Sequence, residues 1–443
     1  MKLTVIGGGG FRVPLIYRAL LADEAGPPVD EVVLHDLDAG RLRVITKVLE
    51  QLAGSSVRAP AVTATRDLDR ALDDADFVFS AIRVGGLAGR VADERVARNL
   101  GMLGQETTGA GGVSYGLRTV PVALRIAEQV RHTAPDAWVI NFTNPAGMVT
   151  EAMSAVLGDR VIGICDSPRA MCRRVARAVG VAPELAQFDY VGLNHLGWLR
   201  RVDVAGRDVL PALLGDDDRL GSFEEGRLFG PDRLRALGAV PNEYLWYWYF
   251  HSEAVSGDGG RTRGEFLLGQ QQRFYGTVDR DPTQALDDWE RVRRERDATY
   301  LAESRHGGAL RNEEDVEGGG YEKVALAVMA AITNNERSTH ILNVRNRGSI
   351  SAMDTAAVVE LPCVVDVDGA HPMPVGPVED HQLGLIRSVK AVERETIAAA
   401  AERSRERALW AFALHPMVGS IETARQLLAG YERAVPELAE LLR

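Results

Sequence analysis

A cysteine and a histidine in the middle of the chain could bind a divalent metal ion. Cys165 lies in the segment 164–168 (ICDSP) and His195 in the segment 192–198 (GLNHLGW). Thiolate and imidazole are good ligands for borderline ions such as Mn, Fe, Co, Ni or Zn. Taken alone, each residue is more often a small core hydrophobe or a structural histidine, and only the fold can bring the two together. Two protein ligands would leave coordination positions open for substrate oxygens, as a catalytic metal requires.

A glycine cluster near the N-terminus has the composition of a dinucleotide-binding turn. Residues 7–10 are all glycine, and they follow an apolar run and precede Phe11. Glycines permit a tight turn and let backbone N–H groups approach a pyrophosphate at the start of the next helix. The strict G-x-G-x-x-G spacing fails, because Arg12 or Val13 takes the place of the third glycine. Asp36 follows the next predicted strand, where an acid binds both ribose hydroxyls, so the pattern favours NAD over NADP.

Further polar groups follow other predicted strands. Arg83 and Arg90 come after one strand, and the segments 104–109 and 141–145 come after later ones. In a doubly wound sheet, ligands bind beyond the carboxyl ends of the strands, so we expect these groups to converge on one crevice. The aromatic segment 240–249 is by itself typical of a core element, and nothing in its spacing marks one tyrosine as catalytic.

Short β-branched runs alternate with amphipathic stretches over the first 200 residues, which is typical of a parallel sheet wound with helices. The predicted strands are residues 3–6, 31–34, 76–82, 138–141, 161–164 and 190–193. Farther along we expect a helix over 323–333, a strand over 356–365 and two or three helices from 381 to 443. The sequence therefore predicts an α/β fold, with a Rossmann-like parallel-sheet domain over 1–200. A mixed α+β substrate domain with a helical C-terminal tail is predicted over 201–443.

Composition limits the kind of partner. The 443 residues carry a formal net charge of −11 with a pI near 5.4. Nucleic acids and anionic membranes select basic surfaces, so we expect neither as a partner. No apolar run reaches the roughly 20 residues that cross a bilayer, and the N-terminal run is too short for a signal peptide. Three cysteines are too few for a disulfide framework, and we expect a cytoplasmic protein.

Taken in order, these motifs resemble glycoside hydrolase family 4, the NAD- and metal-dependent glycosidases. The matching segments cover roughly the first 270 residues, and one motif alone would be weak evidence. They are residues 7–10 with Asp36, 83–90, 104–107, 141–145, 164–166, 192–195, 241–244 and 262–263.

The resemblance implies a role for each matching residue. Cys165 and His195 would bind Mn²⁺ or another divalent metal, which in turn holds two sugar hydroxyls. Tyr244 would be the base that removes the proton at sugar carbon 2, and Asp166 the candidate acid for the leaving group. The implied substrate contacts are Arg90, Glu106, Asn144, Asn194 and Arg263. The implied NAD contacts are Gly7, Gly8, Gly9, Gly10, Phe11, Asp36 and Arg83.

The resemblance further implies redox-neutral hydrolysis of phosphorylated sugars. Carbon 3 is oxidised by NAD⁺, the aglycone leaves by elimination, water adds, and carbon 3 is reduced again. Segments 83–86 and 241–244 look most like 6-phospho-β-glucosidases, which act on phosphorylated cellobiose-type disaccharides. Asp166, directly after the cysteine, is instead similar to the 6-phospho-α-glucosidase branch. Members of the family are usually dimers or tetramers, so we expect a homodimer or homotetramer.

Two interpretations from other classes stay open at this point. One is a lactate/malate-type NAD-dependent dehydrogenase, which would produce net NADH from a hydroxy acid and would not need Cys165. The other is a non-catalytic NAD-binding regulator. The presence of Cys165, His195 and Tyr244 in one chain argues against the regulator, which would need none of them.

Overall fold

One mixed sheet runs through the protein. The structure is a computed structural model, and it describes residues 1–23, 26, 28–54, 56, 58–256, 260–300 and 320–442. The strands in these residues are β1 (Lys2–Ile6), β2 (Glu31–His35), β3 (Ala61–Thr65), β4 (Phe77–Ser80), β5 (Trp138–Asn141), β6 (Val161–Gly163), β7 (Ala186–Leu193), β8 (Leu196–Val204), β9 (Arg207–Asp208), β10 (Val240–Pro241), β11 (Ser338–Arg345), β12 (Val358–Asp366) and β13 (Gly369–Pro372). Their order is β10-β8-β7-β12-β11-β6-β5-β4-β1-β2-β3, with β9 beside β8 and β13 beside β12.

The N-terminal half of the sheet is parallel. Its strands run β3-β2-β1-β4-β5-β6, which is the order of a Rossmann fold. Val5 on β1 lies between Leu34 on β2 and Phe79 on β4, and all three side chains are buried. Parallel strands covered by helices on both faces are expected to be apolar in this way. The predicted α/β fold with a Rossmann-like parallel sheet is confirmed.

The sequence missed β3, which lies at the far edge of the sheet. Its five residues are alanine, valine and threonine, and none of them is fully buried. An exposed edge strand of small residues gives little apolar periodicity, which is the signal that located the other parallel strands.

Antiparallel strands extend the sheet beyond β6. Asn343 on β11 pairs with Gly163 on β6, and Glu360 on β12 pairs with Gly192 on β7. The hairpin of β7 and β8 joins next, and β8 includes residue 200. The predicted division into 1–200 and 201–443 stays a prediction, but strands from both segments hydrogen-bond into the same sheet.

Helices cover the two faces of the sheet and continue beyond it. None of the described helices combines the length and the apolarity needed to cross a membrane. The α-helices are α1 (Val13–Ala22), α2 (Ala39–Ala53), α3 (Leu68–Leu72), α4 (Gly86–Asn99), α5 (Ala110–Thr133), α6 (Ala146–Leu157), α7 (Ser167–Ala178), α8 (Leu210–Leu214), α9 (Asp217–Gly221), α10 (Glu224–Phe229), α11 (Pro231–Leu237), α12 (Trp246–Tyr249), α13 (His251–Ser256), α14 (Arg263–Arg280), α15 (Ala285–Ala298), α16 (Tyr321–Asn334), α17 (Asp380–Glu402), α18 (Arg405–Leu414), α19 (Ile421–Ala434) and α20 (Pro436–Leu441).

The C-terminal tail has four helices, α17 to α20, rather than the predicted two or three. Arg403 adopts a left-handed φ of 57° and ends α17, and Ser404 then caps α18 by accepting from the N–H of Arg407. Ser420 caps α19 in the same way, and Pro436 occupies the first turn of α20. The breaks at 403–404 and at 435 are only one or two residues long in an otherwise helical composition, so the sequence pattern alone merged neighbouring helices. The predicted helix at 323–333 and strand at 356–365 are confirmed as α16 and β12.

Candidate active site

A cavity of about 660 Å³ opens at the carboxyl ends of the parallel strands, and helices from the second half of the chain close its far side. The residues of the predicted site converge there as expected from strand ends that share an edge. Those that line the cavity are Gly7, Gly10, Phe11, Arg83, Arg90, Glu106, Asn144, Cys165, Asp166, His195, Tyr244 and Arg263. Gly8, Gly9, Asp36 and Asn194 do not line it.

The turn after β1 requires glycine at two positions for steric reasons. Gly7 has φ +88°, and a Cβ there would lie 2.6 Å from the carbonyl oxygen of Ala81. A Cβ on Gly8 would lie 2.7 Å from Cβ of Leu34 on the neighbouring strand. The turn therefore fits tightly between β2 and β4, although the third glycine of the fingerprint is missing.

Asp36 lies behind the glycine turn and helps to hold it. Its Oδ2 accepts a hydrogen bond of 3.0 Å from the N–H of Gly9, and its Oδ1 accepts from the N–H of Asp38 at 3.1 Å. A carboxylate has room for more donors than these two. Asp36 is thus oriented at the end of β2, where the sequence predicts the ribose of NAD.

Three side chains from the second half of the chain donate hydrogen bonds to carbonyl oxygens of the glycine turn. The Tyr275 hydroxyl donates to Gly9 O at 2.7 Å, the Trp289 indole to Phe11 O at 2.8 Å, and the Tyr321 hydroxyl to Arg12 O at 2.6 Å. Among the described residues, the N–H groups of Phe11 and Arg12 make no hydrogen bond. They lie at the start of α1, which is the arrangement that binds a phosphate group.

Cys165 and His195 reach the cavity from two separate parts of the sheet, with β11 and β12 between them. Cys165 follows β6 and is buried, and burial, with added repulsion from Glu360 and Asp166, raises the pKa of its thiol well above the ordinary value. His195 lies in the two-residue turn between β7 and β8 with a left-handed φ of 63°. A non-glycine residue held in that conformation is typical of a functional site.

His195 is a neutral imidazole in this environment. Burial lowers its pKa to about 4, although the nearby carboxylates Glu106 and Asp166 act in the opposite direction. Neutral imidazole and thiolate are metal ligands, so the donor chemistry of the pair suits a divalent ion. The described residues contain no group of three or more histidine, cysteine or acidic side chains arranged to hold a metal. A metal held by Cys165 and His195 would therefore keep open positions for other ligands.

Tyr244 lies against the histidine. The two rings stack with centroids 3.7 Å apart and planes 5° from parallel. Its hydroxyl accepts a hydrogen bond of 3.1 Å from the Tyr300 hydroxyl. Burial, followed by repulsion from Glu243, raises the pKa of Tyr244 well above its ordinary value, whereas the Tyr300 hydrogen bond acts to lower it.

Glu106 lies between two guanidinium groups. Its carboxylate oxygens are 2.6 Å from Arg83 and 2.8 Å from Arg90, and Arg90 also pairs with Glu94 at 2.8 Å. Burial alone would raise the pKa of Glu106, but the charges of Arg83 and Arg90 outweigh it and lower the pKa to about 2. Glu106 is therefore ionised and holds both arginines at the cavity wall.

Asp166 and Asn144 present oxygen atoms to the cavity. Asp166 lies 3.4 Å from the Arg12 guanidinium, which itself stacks over the Tyr321 ring. Asn144 has a buried side-chain oxygen without a hydrogen-bond partner in the described part of the chain. A buried unsatisfied acceptor is costly, and a donor from a bound ligand would satisfy it.

Arg263 lines the cavity, whereas Asn194 does not. Arg263 at the start of α14 donates to Thr299 Oγ1 at 2.6 Å and to the carbonyl of Arg296 at 2.9 Å. Asn194 points instead to Glu360, with 3.3 Å from its amide nitrogen to the carboxylate. The structure does not bring Asn194 to the cavity wall.

The sequence did not single out several residues that shape the site. Glu360 is buried on β12, and burial raises its pKa to about 7 despite hydrogen bonds from Asn343, Asn194 and Tyr190. Burial likewise raises the pKa of Glu243 to about 7. One acid within the apolar run of β12 was a usable signal for Glu360. Arg296 and Tyr300 line the cavity too, but nothing in their sequence context distinguishes them.

Comparison with proteins of known sequence places the chain in one family. Residues 2–181 match the model of the family 4 glycosyl hydrolases, and residues 190–418 match the model of the C-terminal domain of that family. A 6-phospho-beta-glucosidase of Escherichia coli (strain K12) is 30% identical over 459 residues, covering 100% of this chain and 98% of the relative. The 6-phospho-alpha-glucosidase 1 of Lacticaseibacillus paracasei is 30% identical over 451 residues, covering 96% of this chain and 95% of the relative.

Solved structures show the same similarity over the full length. A 6-phospho-alpha-glucosidase from gut microorganisms in complex with NAD and Mn²⁺ has a TM-score of 0.83 and 27% identity, covering 99% of this chain and 98% of the other. The 6-phospho-beta glucosidase from Thermotoga maritima with NAD and glucose-6-phosphate has a TM-score of 0.82 and 28% identity, covering 99% of both chains. The resemblance inferred from the sequence motifs is confirmed. The chain belongs to family 4 of the glycosyl hydrolases.

Proposed function

We propose that this protein hydrolyses 6-phospho-β-glucosides with NAD and a divalent metal as cofactors. The observation that carries the proposal is the placement of Cys165, His195 and Tyr244 on the same cavity as the glycine turn. Relatives named 6-phospho-beta-glucosidase, and neighbouring structures with NAD, Mn²⁺ and glucose-6-phosphate, support the substrate class and the cofactors. We further propose that the protein forms a homodimer or homotetramer.

The charge of the cavity supports a phosphorylated substrate. Arg12, Arg263 and Arg296 line the cavity, and Arg296 has no ion-pair partner among the described residues. Burial, followed by repulsion from the surrounding arginines, lowers the pKa of Arg296 to about 9. A phosphate dianion bound beside Arg296 would relieve that repulsion, and arginine is well suited to phosphate.

The residues present fit both cofactors. The free N–H groups at the glycine turn and Asp36 would hold NAD, and Cys165 with neutral His195 would hold the metal. When bound, NAD supplies reversible oxidation at sugar carbon 3, and the metal supplies a Lewis acid for the neighbouring sugar oxygens.

Tyr244 would act as the base at sugar carbon 2. With the pKa of Tyr244 raised, the phenol is protonated, so its role as a base depends on positive charge near its oxygen. Tyr300 supplies one hydrogen bond that stabilises the phenolate, and His195 holds the ring by stacking. Asp166, oriented by Arg12, would serve the leaving group.

The alternative within the family is a 6-phospho-α-glucosidase. Relatives of both names are 30% identical to this chain, so identity does not separate them. Asp166 directly after Cys165 favours the α alternative, whereas segments 83–86 and 241–244 favour β. The β anomer is our proposal because two segments support it.

Release of p-nitrophenol from p-nitrophenyl 6-phospho-β-glucoside tests the proposal. The assay contains NAD⁺, Mn²⁺ and a thiol, omits each in turn, and runs the α anomer and the unphosphorylated glucoside in parallel. We expect release that requires phosphate, NAD⁺ and Mn²⁺, without accumulation of NADH. Release from the α anomer alone would show that the protein is a 6-phospho-α-glucosidase instead. No release from any sugar, with NADH formed from hydroxy acids, would establish a dehydrogenase instead.

A further inference from the structure

A chain of hydrogen bonds leads from the segment 105–108 to the ring of His195. The side-chain oxygen of Gln105 accepts from the N–H of Thr107 at 2.6 Å, from the N–H of Thr108 and from the Thr107 hydroxyl at 3.1 Å. The Thr107 oxygen lies 2.9 Å from Nδ1 of His195. The Thr107 hydroxyl thus has a defined partner on both sides.

Backbone donors fix the orientation of the Gln105 amide. The atom that faces the N–H groups of Thr107 and Thr108 must be an acceptor, so it is the oxygen and not the nitrogen. This removes the usual ambiguity between the two ends of a glutamine amide. The Thr107 hydroxyl therefore meets an acceptor on its Gln105 side and must donate its hydrogen there.

The direction of that bond determines the proton on the histidine. A threonine hydroxyl has one hydrogen, and once it is donated to Gln105 the oxygen can only accept from His195. Nδ1 of His195 consequently carries the hydrogen of the neutral ring, and Nε2 carries the lone pair. Stacking on Tyr244 at 3.7 Å fixes the plane of the same ring.

We propose that Thr107 is a positioning residue that selects the Nδ1–H form of His195 and aims its Nε2 lone pair at a divalent cation. The proposal rests on the proposed function insofar as it takes His195 as a metal ligand. Groups that hydrogen-bond to the second nitrogen of a metal-binding histidine fix its tautomer, and their loss typically costs 10- to 100-fold in metal affinity.

The test compares three variants. Thr107→Val keeps the branched shape but has no hydroxyl, Thr107→Ser keeps the hydroxyl, and Thr108→Val is the matched control. Thr108 shares the backbone contact to Gln105, but its hydroxyl makes no hydrogen bond among the described residues. Co²⁺ binding, followed by the absorbance of the cobalt–thiolate bond to Cys165, and Mn²⁺ binding, followed by electron paramagnetic resonance, give affinities without turnover.

We expect Thr107→Val to weaken Co²⁺ and Mn²⁺ binding by about 10- to 100-fold, and Thr107→Ser and Thr108→Val to bind within about 3-fold of the natural protein. NAD affinity and the melting temperature of the metal-free protein should stay unchanged in all three. Unchanged metal affinity in Thr107→Val would overturn the proposal, as would a loss that is matched in Thr108→Val. A fall in the metal-free melting temperature with metal affinity retained would show a structural role instead.

A second measurement does not depend on metal. Nitrogen NMR of protein labelled at histidine, with His195→Gln to identify the signal, reports which ring nitrogen carries hydrogen. We expect Nδ1–H in the natural protein, and Nε2–H would contradict the proposal. If the natural protein itself gives no cobalt–thiolate absorbance, the metal site of the proposed function fails, which is distinct from failure of Thr107 alone.

Discussion

Tyr244 is in an environment that stabilises its protonated form. Burial and Glu243 raise the pKa of its phenol, whereas the Tyr300 hydrogen bond acts to lower it. We expect Tyr244→Phe to lower kcat on the phosphorylated glucoside by about 10²- to 10⁴-fold, which is the usual contribution of a general base. NAD affinity, measured by quenching of protein fluorescence, should not change, because the ring and its stacking remain.

Tyr300→Phe is the matched control for that prediction. It removes the hydrogen bond to Tyr244 but leaves the phenol of Tyr244 in place. The loss of one such bond predicts a fall in kcat of about 10-fold. A larger loss for Tyr300→Phe than for Tyr244→Phe would mean that Tyr300, and not Tyr244, takes the proton.

The role of Arg296 in binding the substrate phosphate can be tested with the phosphorylated glucoside. We expect Arg296→Gln to raise KM for the phosphorylated glucoside by about 10- to 100-fold, since a charge-assisted hydrogen bond is worth about 1.5–3 kcal/mol. The control is Arg291→Gln on the same helix α15, an exposed residue paired with Asp288, for which we expect no effect. A rise in the Kd for NAD⁺ with KM unchanged would place Arg296 at the cofactor instead.

The sequence was sufficient to identify site residues whose types have few chemical roles. It missed site residues whose roles depend on their neighbours in the fold. Cys165, His195 and Tyr244 were identified through motifs, and the structure brings all three to one cavity. Thr107 and Arg296 belong to common residue types in common contexts, so only three-dimensional neighbours reveal their contacts. Asn194 was identified with the motif of His195, but its side chain turns towards Glu360.

At the scale of elements, the local pattern located the buried parallel strands, part of β7 and β12, and it missed β3, β8 and β11. Strands β1, β2, β4, β5 and β6 are apolar on both faces, so each is visible as a short run. The antiparallel pairing of β11 with β6 joins residues far apart in sequence and leaves no local signal. The breaks of one or two residues in the C-terminal tail are likewise shorter than the uncertainty with which a sequence pattern places helix ends.

A buried charge cluster fastens α17 to α6. Lys390 on α17 lies 2.8 Å from Glu151 on α6 and also pairs with Glu393, and both carboxylates are largely buried. Glu151 also accepts from the N–H of Val358 at the start of β12. Burial opposes the charge of Lys390, but the two carboxylates outweigh it and raise the pKa of its amine.

We expect Lys390→Met to lower the free energy of unfolding by about 3–5 kcal/mol at neutral pH, because it leaves the buried Glu393 carboxylate without its cation and leaves Glu151 with Arg394 alone. Burial already raises the folded-state pKa of Glu393 above its unfolded value, and loss of the ammonium group raises it further, while Glu151 loses one of the charges that lower its pKa. Between the unfolded and the folded pKa of Glu393, the folded state binds more protons than the unfolded state. Stability of the variant therefore falls as pH rises through that range, so its deficit should be larger at about pH 8 than at about pH 5. Urea unfolding at both pH values measures it.

Arg394→Met provides the comparison for the same helix. Arg394 contacts Glu151 at 2.7 Å but is more exposed than Lys390, with 40% of its side chain accessible against 4%. We expect a loss of about 1 kcal/mol or less. Equal losses for the two variants, or a Lys390→Met deficit that grows as pH falls, would contradict the electrostatic explanation.

At the scale of the whole molecule, the glycine turn and the sheet both depend on the second half of the chain. Tyr275, Trp289 and Tyr321 saturate the carbonyl groups of the turn. Strand β6, whose residues are all buried, has β11 as its outer neighbour in the sheet. A single hydrophobic core contains residues from both halves, among them Leu34 and Leu361.

These contacts predict that the protein unfolds as one unit and that the first half does not bind NAD alone. A fragment of residues 1–181 would expose β6 as an apolar sheet edge and leave the carbonyl groups of the turn without their side-chain donors, so we expect aggregation and no NAD binding. In the full chain, unfolding in urea followed by circular dichroism and by tryptophan fluorescence should give coincident curves, and NAD should shift both together. Separate transitions, or a folded fragment that binds NAD, would show instead that residues 1–181 form an independent domain whose turn needs no support from the rest of the sheet.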